Sequence, residues 1–328
     1  MDVKTSVLRM LRSKDGYISG QEMCRQLGVS RTTVWKAMNQ LKEEGYSIDA
    51  AQNRGYRLAA VPDIVTASEI MSRLNTSWAG WPTVSFDSID STNNEAKRRA
   101  EAGAGQGLML IAEEQTAGKG RRGHSWSTPA GCAISMSLLL KPDIEPSSAA
   151  MLTLVTALAV NKALRENTGL DVKIKWPNDM VVNGKKLCGI LTEMSAEIGY
   201  INHVVIGIGM NVNNDRFPEG AENTATSLML ELGRPVQRAQ IAAAILEKFE
   251  GCYDRFLKAG DLSFMTDEYN SELVNLGREV CVLAPDGEWR GTAEGIDRTG
   301  ALLVRDKAGR LIGVDSGEVS VRGVYGYV

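Results

Sequence analysis

The dipeptide Asn183-Gly184 interrupts two apolar runs in "MVVNGKKLCGILTEM" (180–194). Both residues accept positive φ readily, so two strands meeting at this pair form a tight antiparallel hairpin. The surrounding chain alternates strand and helix patterns. "TVSFDSI" (83–89), "GLMLIAEE" (107–114), "CAISMSLLL" (132–140), "VKIKW" (172–176) and "HVVIGIGMNVN" (203–213) read as strands. "STNNEAKRRAEAG" (91–103), "SSAAMLTLVTALAVNKALREN" (147–167) and "RAQIAAAILEKFEGCYDRFLKAG" (238–260) read as helices, the first with Thr92 and Glu95 in capping-box spacing. A hairpin among crossover connections excludes an all-parallel doubly wound sheet and implies an α+β domain with a mixed sheet, here taken as residues 63–270.

Two other regimes flank it. In residues 1–62, three short helix patterns precede a hairpin; the second ends at Gly28 and the third begins at Ser30, leaving only "GVS" between them. That is the spacing of a helix-turn-helix, and "YSIDAAQNRGYRL" supplies a wing. The third helix would bury Val34, Met38 and Leu41 and expose Ser30, Arg31, Thr32, Thr33, Trp35, Lys36 and Gln40, with Arg54 near the wing tip. These are side chains suited to phosphates and base edges, which makes DNA the expected partner. Residues 1–60 carry ten Lys or Arg against six Asp or Glu, a local charge of +4 in a chain of net charge −3. From 271 to 328, short strands are broken by "APDG", "DRTG", "DKAG" and "DSG", the pattern of a small SH3-like β barrel. The whole is therefore read as a multidomain α+β chain.

Composition removes several chemistries. The cysteines Cys24, Cys132, Cys188, Cys252 and Cys281 are scattered without CxxC spacing, and His124 and His203 are the two histidines, so a disulfide framework, a thiolate metal site and a histidine triad are disfavoured. No apolar stretch reads as membrane-spanning and no signal peptide is visible, so the expected location is the cytoplasm, with no membrane partner. "AGKGRRG" (117–123) contains GxGxxG, but "HSWSTPAG" follows where a dinucleotide fold needs a helix. Lys119, Arg121 and Arg122 make it either a solvated basic loop or a lid for an anion.

Five pieces, "STNN" (91–94), "EEQTAGKGRRGHSW" (113–126), "KWPND" (175–179), "GKKLCGIL" (184–191) and "GIGMNVN" (207–213), stand in an order that closely resembles the biotin protein ligases. With the N-terminal winged helix, the resemblance is to the bifunctional type that also represses biotin biosynthesis genes. It covers the whole chain and implies a class II synthetase-like catalytic fold. The implied reaction joins biotin and ATP, with Mg2+, into biotinyl-5′-AMP and pyrophosphate, then moves biotin to a lysine of the biotin carboxyl carrier protein of acetyl-CoA carboxylase. Implied as catalytic are Lys186 and Arg121. Biotin contacts fall to Ser91, Thr92, Asn93, Gln115, Gly118, Lys119, Gly120, Arg121 and Lys186. ATP and adenylate contacts fall to Arg121, Arg122, Trp126, Lys175, Asn178, Asp179 and Asn211, with Asp179 a metal ligand. Trp176 and Pro177 read as structural. Lys119 stands where the commonest loop form has arginine, and His124 and Ser125 where many relatives are basic. The resemblance further implies a ligand-promoted homodimer that binds a two-fold operator. The competing readings are a lipoate or octanoate ligase and a ligand-sensing transcription factor without catalysis.

Overall fold

Side-chain caps and left-handed glycines set the limits of the N-terminal helices, as the sequence suggests. In the computed structural model, which describes all residues except 127–128, 285–286, 316–319 and 324–328, α1 (Val3–Arg12) is capped by Asp2 and α2 (Gly20–Leu27) by Ser19. Gly28 at φ 65° ends α2, and Ser30 accepts the Thr33 amide to begin α3 (Arg31–Glu43). The wing is β1 (Ser47–Ala51) paired antiparallel with β2 (Gly55–Ala60), turning through Asn53 at φ 61°. Val7, Leu8, Met23, Val34, Met38 and Leu41 close a core confined to this segment. The result is a winged helix-turn-helix.

The central region continues with α4 (Ala67–Met71), β3 (Thr83–Ile89), α5 (Thr92–Glu101), β4 (Met109–Gln115), β5 (Ala133–Leu140), α6 (Met151–Thr168), β6 (Lys173–Lys175), β7 (Asp179–Val182), β8 (Lys185–Glu197), β9 (Tyr200–Asn211), α7 (Leu228–Leu232), α8 (Arg238–Ala259) and α9 (Thr266–Glu272). Its sheet has the order β3-β4-β5-β9-β8-β7-β6, with β3 and β4 parallel and the remaining pairs antiparallel. The mixed sheet is thus as the hairpin required. Asn183 and Gly184 lie at φ 50° and 76°, joining Val182 to its partner Lys185 by a two-residue turn.

Alternation along the strands divides the two faces. Met109, Ile111, Ile206 and Ile208 face the core built on α6 and α8, whereas Leu110, Leu139 and Val205 face Ala96 and Ala100 of α5. Contrary to the expectation from sequence, the helical stretch Pro146–Thr168 is long and apolar enough to cross a membrane. It is instead largely buried between the sheet and α8, which explains why residues 151–160 carry no charge. The start of α5 also differs from the capping-box expectation. Ser91 is the cap, accepting from the Asn94 amide, while Glu95 pairs with Arg98 and Arg99, so Thr92 is released for other contacts.

β10 (Glu279–Ala284), β11 (Gly287–Ile296), β12 (Leu302–Asp306), β13 (Leu311–Val314) and β14 (Ser320–Gly323) form an antiparallel sheet of order β13-β12-β11-β10-β14. Parts of the expected "APDG" and "DSG" turns, at 285–286 and 316–317, lie outside the described residues. The boundary expected at 270/271 falls within α9, a polar helix with no sequence period to announce it, and Val280, Ile296 and Leu302 share the central core.

Buried polar ties bind the segments together. Glu69, with no exposure, receives Arg12 of α1, Arg73 at 2.7 Å and the Tyr46 hydroxyl at 2.5 Å. Arg238, 1% exposed, reaches Asp63 at 3.0 Å and Glu113 at 2.6 Å. Trp176 donates its indole N–H to the Gly300 carbonyl at 3.1 Å and its amide to Asn275 at 3.2 Å, so the tryptophan of "KWPND" is a bolt to the C-terminal sheet, as its structural reading anticipated. Breaking a buried ion pair on one side costs about 3–5 kcal/mol because the other charge is left uncompensated. Glu69→Ala is therefore expected to destabilise the protein by about that much, seen as a lower midpoint of the first transition in urea unfolding; an unchanged midpoint would contradict the tie.

Candidate functional site

A cleft opens on the α5 side of the central sheet, where α5 leaves the strands uncovered. Its floor is glycine. Gly189 of β8 pairs with Gly209 of β9, and Leu191 with Gly207. A Cβ at Gly207 would lie 2.3 Å from Asn93 Oδ1, and one at Gly209 would lie 2.6 Å from the Trp126 ring. The missing side chains thus let an amide and an indole rest directly on the sheet.

One end of the cleft is built of hydroxyls and amides. Ser91, Thr92 and Asn93, all buried, stand at the N-terminus of α5. Thr92 donates its backbone N–H to Gln115 Oε1 at 2.8 Å, and its hydroxyl oxygen lies 3.0 Å from the same atom. Asn93 donates to Glu193 at 2.7 Å. The basic loop crosses the mouth as a small hairpin, with the Gly120 amide on the His124 carbonyl at 2.7 Å and the Trp126 amide on the Gly118 carbonyl at 2.9 Å. Gly118 has no room for a side chain, since its Cβ would meet the Trp126 carbonyl oxygen at 2.2 Å. Trp126 lines the cleft, and its indole N–H is buried with no acceptor among the described residues.

The other end is cationic. Arg121 donates to Asn178 Oδ1 at 3.0 Å, and Asn178 in turn donates to the Ile190 carbonyl at 3.0 Å. Burial lowers the Arg121 pKa, while nearby Asp179 opposes that shift. Lys186 enters the same end and pairs with Asp179 at 2.8 Å. A register shift between Met180 and Val181 places Leu187 out of step with β7 beside this lysine, a device that re-aims a strand side chain. Lys119 reaches Asn94 Oδ1 at 2.8 Å.

Most of the residues singled out from sequence therefore converge: Ser91, Thr92, Asn93, Gln115, Lys119, Gly120, Arg121, Trp126, Asn178 and Lys186 all line the cleft. Asp179 sits behind Lys186 rather than on the lining, Lys175 is buried in β6, and Arg122 is exposed in a left-handed turn at φ 56°. Asn211 is buried with its amide on the Thr226 carbonyl at 3.1 Å, outside the lining. Sequence reasoning missed Gly189, Gly207, Gly209, Ser137 and Glu193. Two glycines spaced by two on a strand, as in "GIG", share one face and were a usable signal for close approach of another group.

On the N-terminal unit, Arg31, Thr32, Trp35, Lys36 and Gln40 are exposed on α3, and Trp35 is 57% exposed. Ser30 and Thr33 are engaged in the cap, and Arg54 lies over the Tyr17 ring at 4.5 Å from its centroid. The helix thus offers cations, hydroxyls and an aromatic from one face, the repertoire of a major-groove reader.

Comparison with known proteins finds three families along the chain. It matches the "HTH domain" family over residues 4–57, the "Biotin/lipoate A/B protein ligase family" over 85–211 and the "Biotin protein ligase C terminal domain" over 276–322. It is 38% identical over 298 residues to the bifunctional ligase/repressor BirA of Bacillus subtilis (strain 168), spanning 89% of this chain and 90% of that protein. Identity to the bifunctional ligase/repressor BirA of Escherichia coli (strain K12) is 30% over 306 residues, 93% of this chain and 92% of that one. Among solved structures, the biotin protein ligase from Aquifex aeolicus in complex with biotin and ATP superposes with a TM-score of 0.66 at 30% identity, covering 74% of this chain and 98% of that chain. With a winged helix at one end and this cleft at its centre, the chain belongs to the biotin protein ligases of the bifunctional ligase/repressor type.

Proposed function

We propose that the chain activates biotin with Mg-ATP, releasing pyrophosphate, and transfers it from biotinyl-5′-AMP to a lysine of the biotin carboxyl carrier protein of acetyl-CoA carboxylase. One observation carries the reading: a single cleft joins an end built of amides and hydroxyls, suited to a cyclic urea, to a cationic end where Arg121 and Lys186 converge. Biotin brings its own carboxylate nucleophile, so the protein's task is to hold two anions together and neutralise charge at the α-phosphate.

Lys186 supplies that neutralisation, with Asp179 holding its ammonium in place. Ser91, Thr92, Asn93 and Gln115 meet the ureido end of biotin. Gly118, Lys119, Gly120, Arg121 and Arg122 form a lid that excludes water from the mixed anhydride. The Trp126 N–H, beside the lid and without an acceptor among the described residues, suits a ligand oxygen. Lys175, Asn178 and Asn211 are assigned to the nucleotide. Magnesium would enter on the ATP phosphates, and Asp179, a hard carboxylate next to Lys186, suits the one or two protein oxygens such an ion takes. We infer that adenylate-ordered lids favour a homodimer, which presents two α3 helices to a two-fold operator upstream of biotin biosynthesis genes.

With biotin, lipoate and octanoate offered in parallel, pyrophosphate release is expected with biotin, followed by labelling of the carrier lysine; release with lipoate or octanoate alone would replace this reading. Lys186→Ala should lower biotin-dependent release by about 10²–10³, the usual cost of removing one donor to developing charge. Arg121→Gly should let adenylate escape, detected as biotin on bystander proteins; retention equal to the unaltered chain would refute the lid. Lys36→Ala should weaken duplex binding and reduce the salt slope by about 0.9, the value for one phosphate contact; an unchanged slope would take Lys36 off the backbone.

A further inference from the structure

The polar wall of the cleft rests on a buried hydrogen-bond chain that the roles assigned so far do not use. Ser137 of β5, with no exposure, lies 2.7 Å from Thr92 Oγ1 and 2.5 Å from Asn93 Oδ1. Thr92 Oγ1 is also 3.0 Å from Gln115 Oε1, which accepts the Thr92 backbone N–H. On the far side, Asn93 Nδ2 donates to Glu193 Oε2 at 2.7 Å and points at the Leu191 carbonyl at 3.4 Å. Lys97 pairs with the other Glu193 oxygen, so the chain runs from the cleft wall to a charged pair on β8 and α5.

Counting protons gives this chain a direction. A hydroxyl has one proton to donate, and a carbonyl oxygen has none. Rotating the Asn93 amide by half a turn would set its oxygen against a carboxylate and a carbonyl, so Glu193 fixes Oδ1 toward Ser137. Three oxygen–oxygen contacts are then left with two hydroxyl protons. The shortest contact, from Ser137 to Asn93, takes the Ser137 proton, because Asn93 Oδ1 can only accept. The next, between Ser137 and Thr92, takes the Thr92 proton. What remains is the 3.0 Å contact of Thr92 with Gln115, in which two oxygens face each other with no proton between them. Such a notch is unfavourable when empty and is relieved by an N–H donor placed against both oxygens.

We propose that Glu193 and Ser137 are positioning residues: by fixing Asn93 and drawing the Thr92 proton inward, they make the Thr92–Gln115 notch an acceptor for a ring N–H of the ligand. This rests on the biotin reading of the cleft. Neither residue lines the cleft; Ser137 acts through Thr92 and Asn93, and Glu193 acts through Asn93. A carboxylate at one end of the chain thereby sets the polarity of a hydroxyl at the other.

The test is steady-state pyrophosphate release by the full chain, varying biotin and ATP separately, for Ser137→Ala, Glu193→Ala and Glu193→Gln, with melting temperatures measured alongside. Both alanine variants should raise the biotin KM about tenfold, equal to about 1.4 kcal/mol and near the net worth of one oriented hydrogen bond, with kcat and the ATP KM changed by less than about twofold. Glu193→Gln, which keeps an oxygen for the Asn93 amide, should recover most of the Glu193→Ala loss. If Ser137→Ala fails to fold, the half-buried Glu193 reads the same chain. The proposal is overturned by an unchanged biotin KM, by kcat and both KM values deteriorating together, or by Glu193→Gln as damaged as Glu193→Ala. An unaltered chain that releases no pyrophosphate with biotin overturns the ligase reading itself, and this inference with it.

Discussion

The pairing of β8 with β9 is the constraint from which the cleft follows. Placing Gly189 opposite Gly209, with Gly207 one step further along the same face, removes side chains from a patch in the middle of the sheet. Glycine weakens a strand, by entropy and by the packing it forgoes. Here the cost is offset on the opposite face, where Cys188, Ile190, Ile206, Ile208 and Met210 enter the core beneath α6 and α8. The two faces of the same strands therefore have separate duties. One holds the sheet to its helices, and the other is kept bare so that Asn93 and Trp126 can lie against backbone and leave a hollow between them.

Charges buried between segments decide how that hollow relates to the rest of the chain. Glu113 and Gln115 stand two residues apart at the end of β4. Gln115 meets Thr92 in the cleft wall, while Glu113 accepts from Arg238, which also clasps Asp63 just beyond the wing. The strand that presents Gln115 to the cleft is therefore the strand that anchors the linker. A second tie, Arg12 and Tyr46 on Glu69, joins α1 and the end of the recognition unit to α4. The C-terminal sheet is attached by comparable means, through Trp176 and Asn275, so the "KWPND" segment is held from behind while Asn178 faces the cleft.

Local sequence made much of this legible. Caps at Ser19 and Ser30, the left-handed Gly28, and the Asn183-Gly184 turn act through a few neighbouring atoms, and each appears where its chemistry places it. The short helices α4, α7 and α9 were not legible, because five to seven residues are too few to show a helical period. Thr92 was half legible. Its spacing to Glu95 suggested a cap, but Ser91 took that position, and Thr92 turned to Gln115 on a different strand. Lys186 and its hairpin were visible, whereas the register shift beside it depends on the partner strand.

The sequence by itself determined the helix-turn-helix, the mixed character of the central sheet, the turn-rich C-terminal segment and the set of motifs that marks the ligase family. These are written in periods, caps and turns, which are short-range. Tertiary structure alone decided which of those residues share one cleft. Asn211 was drawn to Thr226 and Asp179 to Lys186, while Ser137 and Glu193, unremarkable in sequence, came to stand behind Thr92 and Asn93. The reason is that a buried polar atom must find a partner wherever the fold brings one within about 3 Å, and no local pattern of residues records which distant strand will supply it.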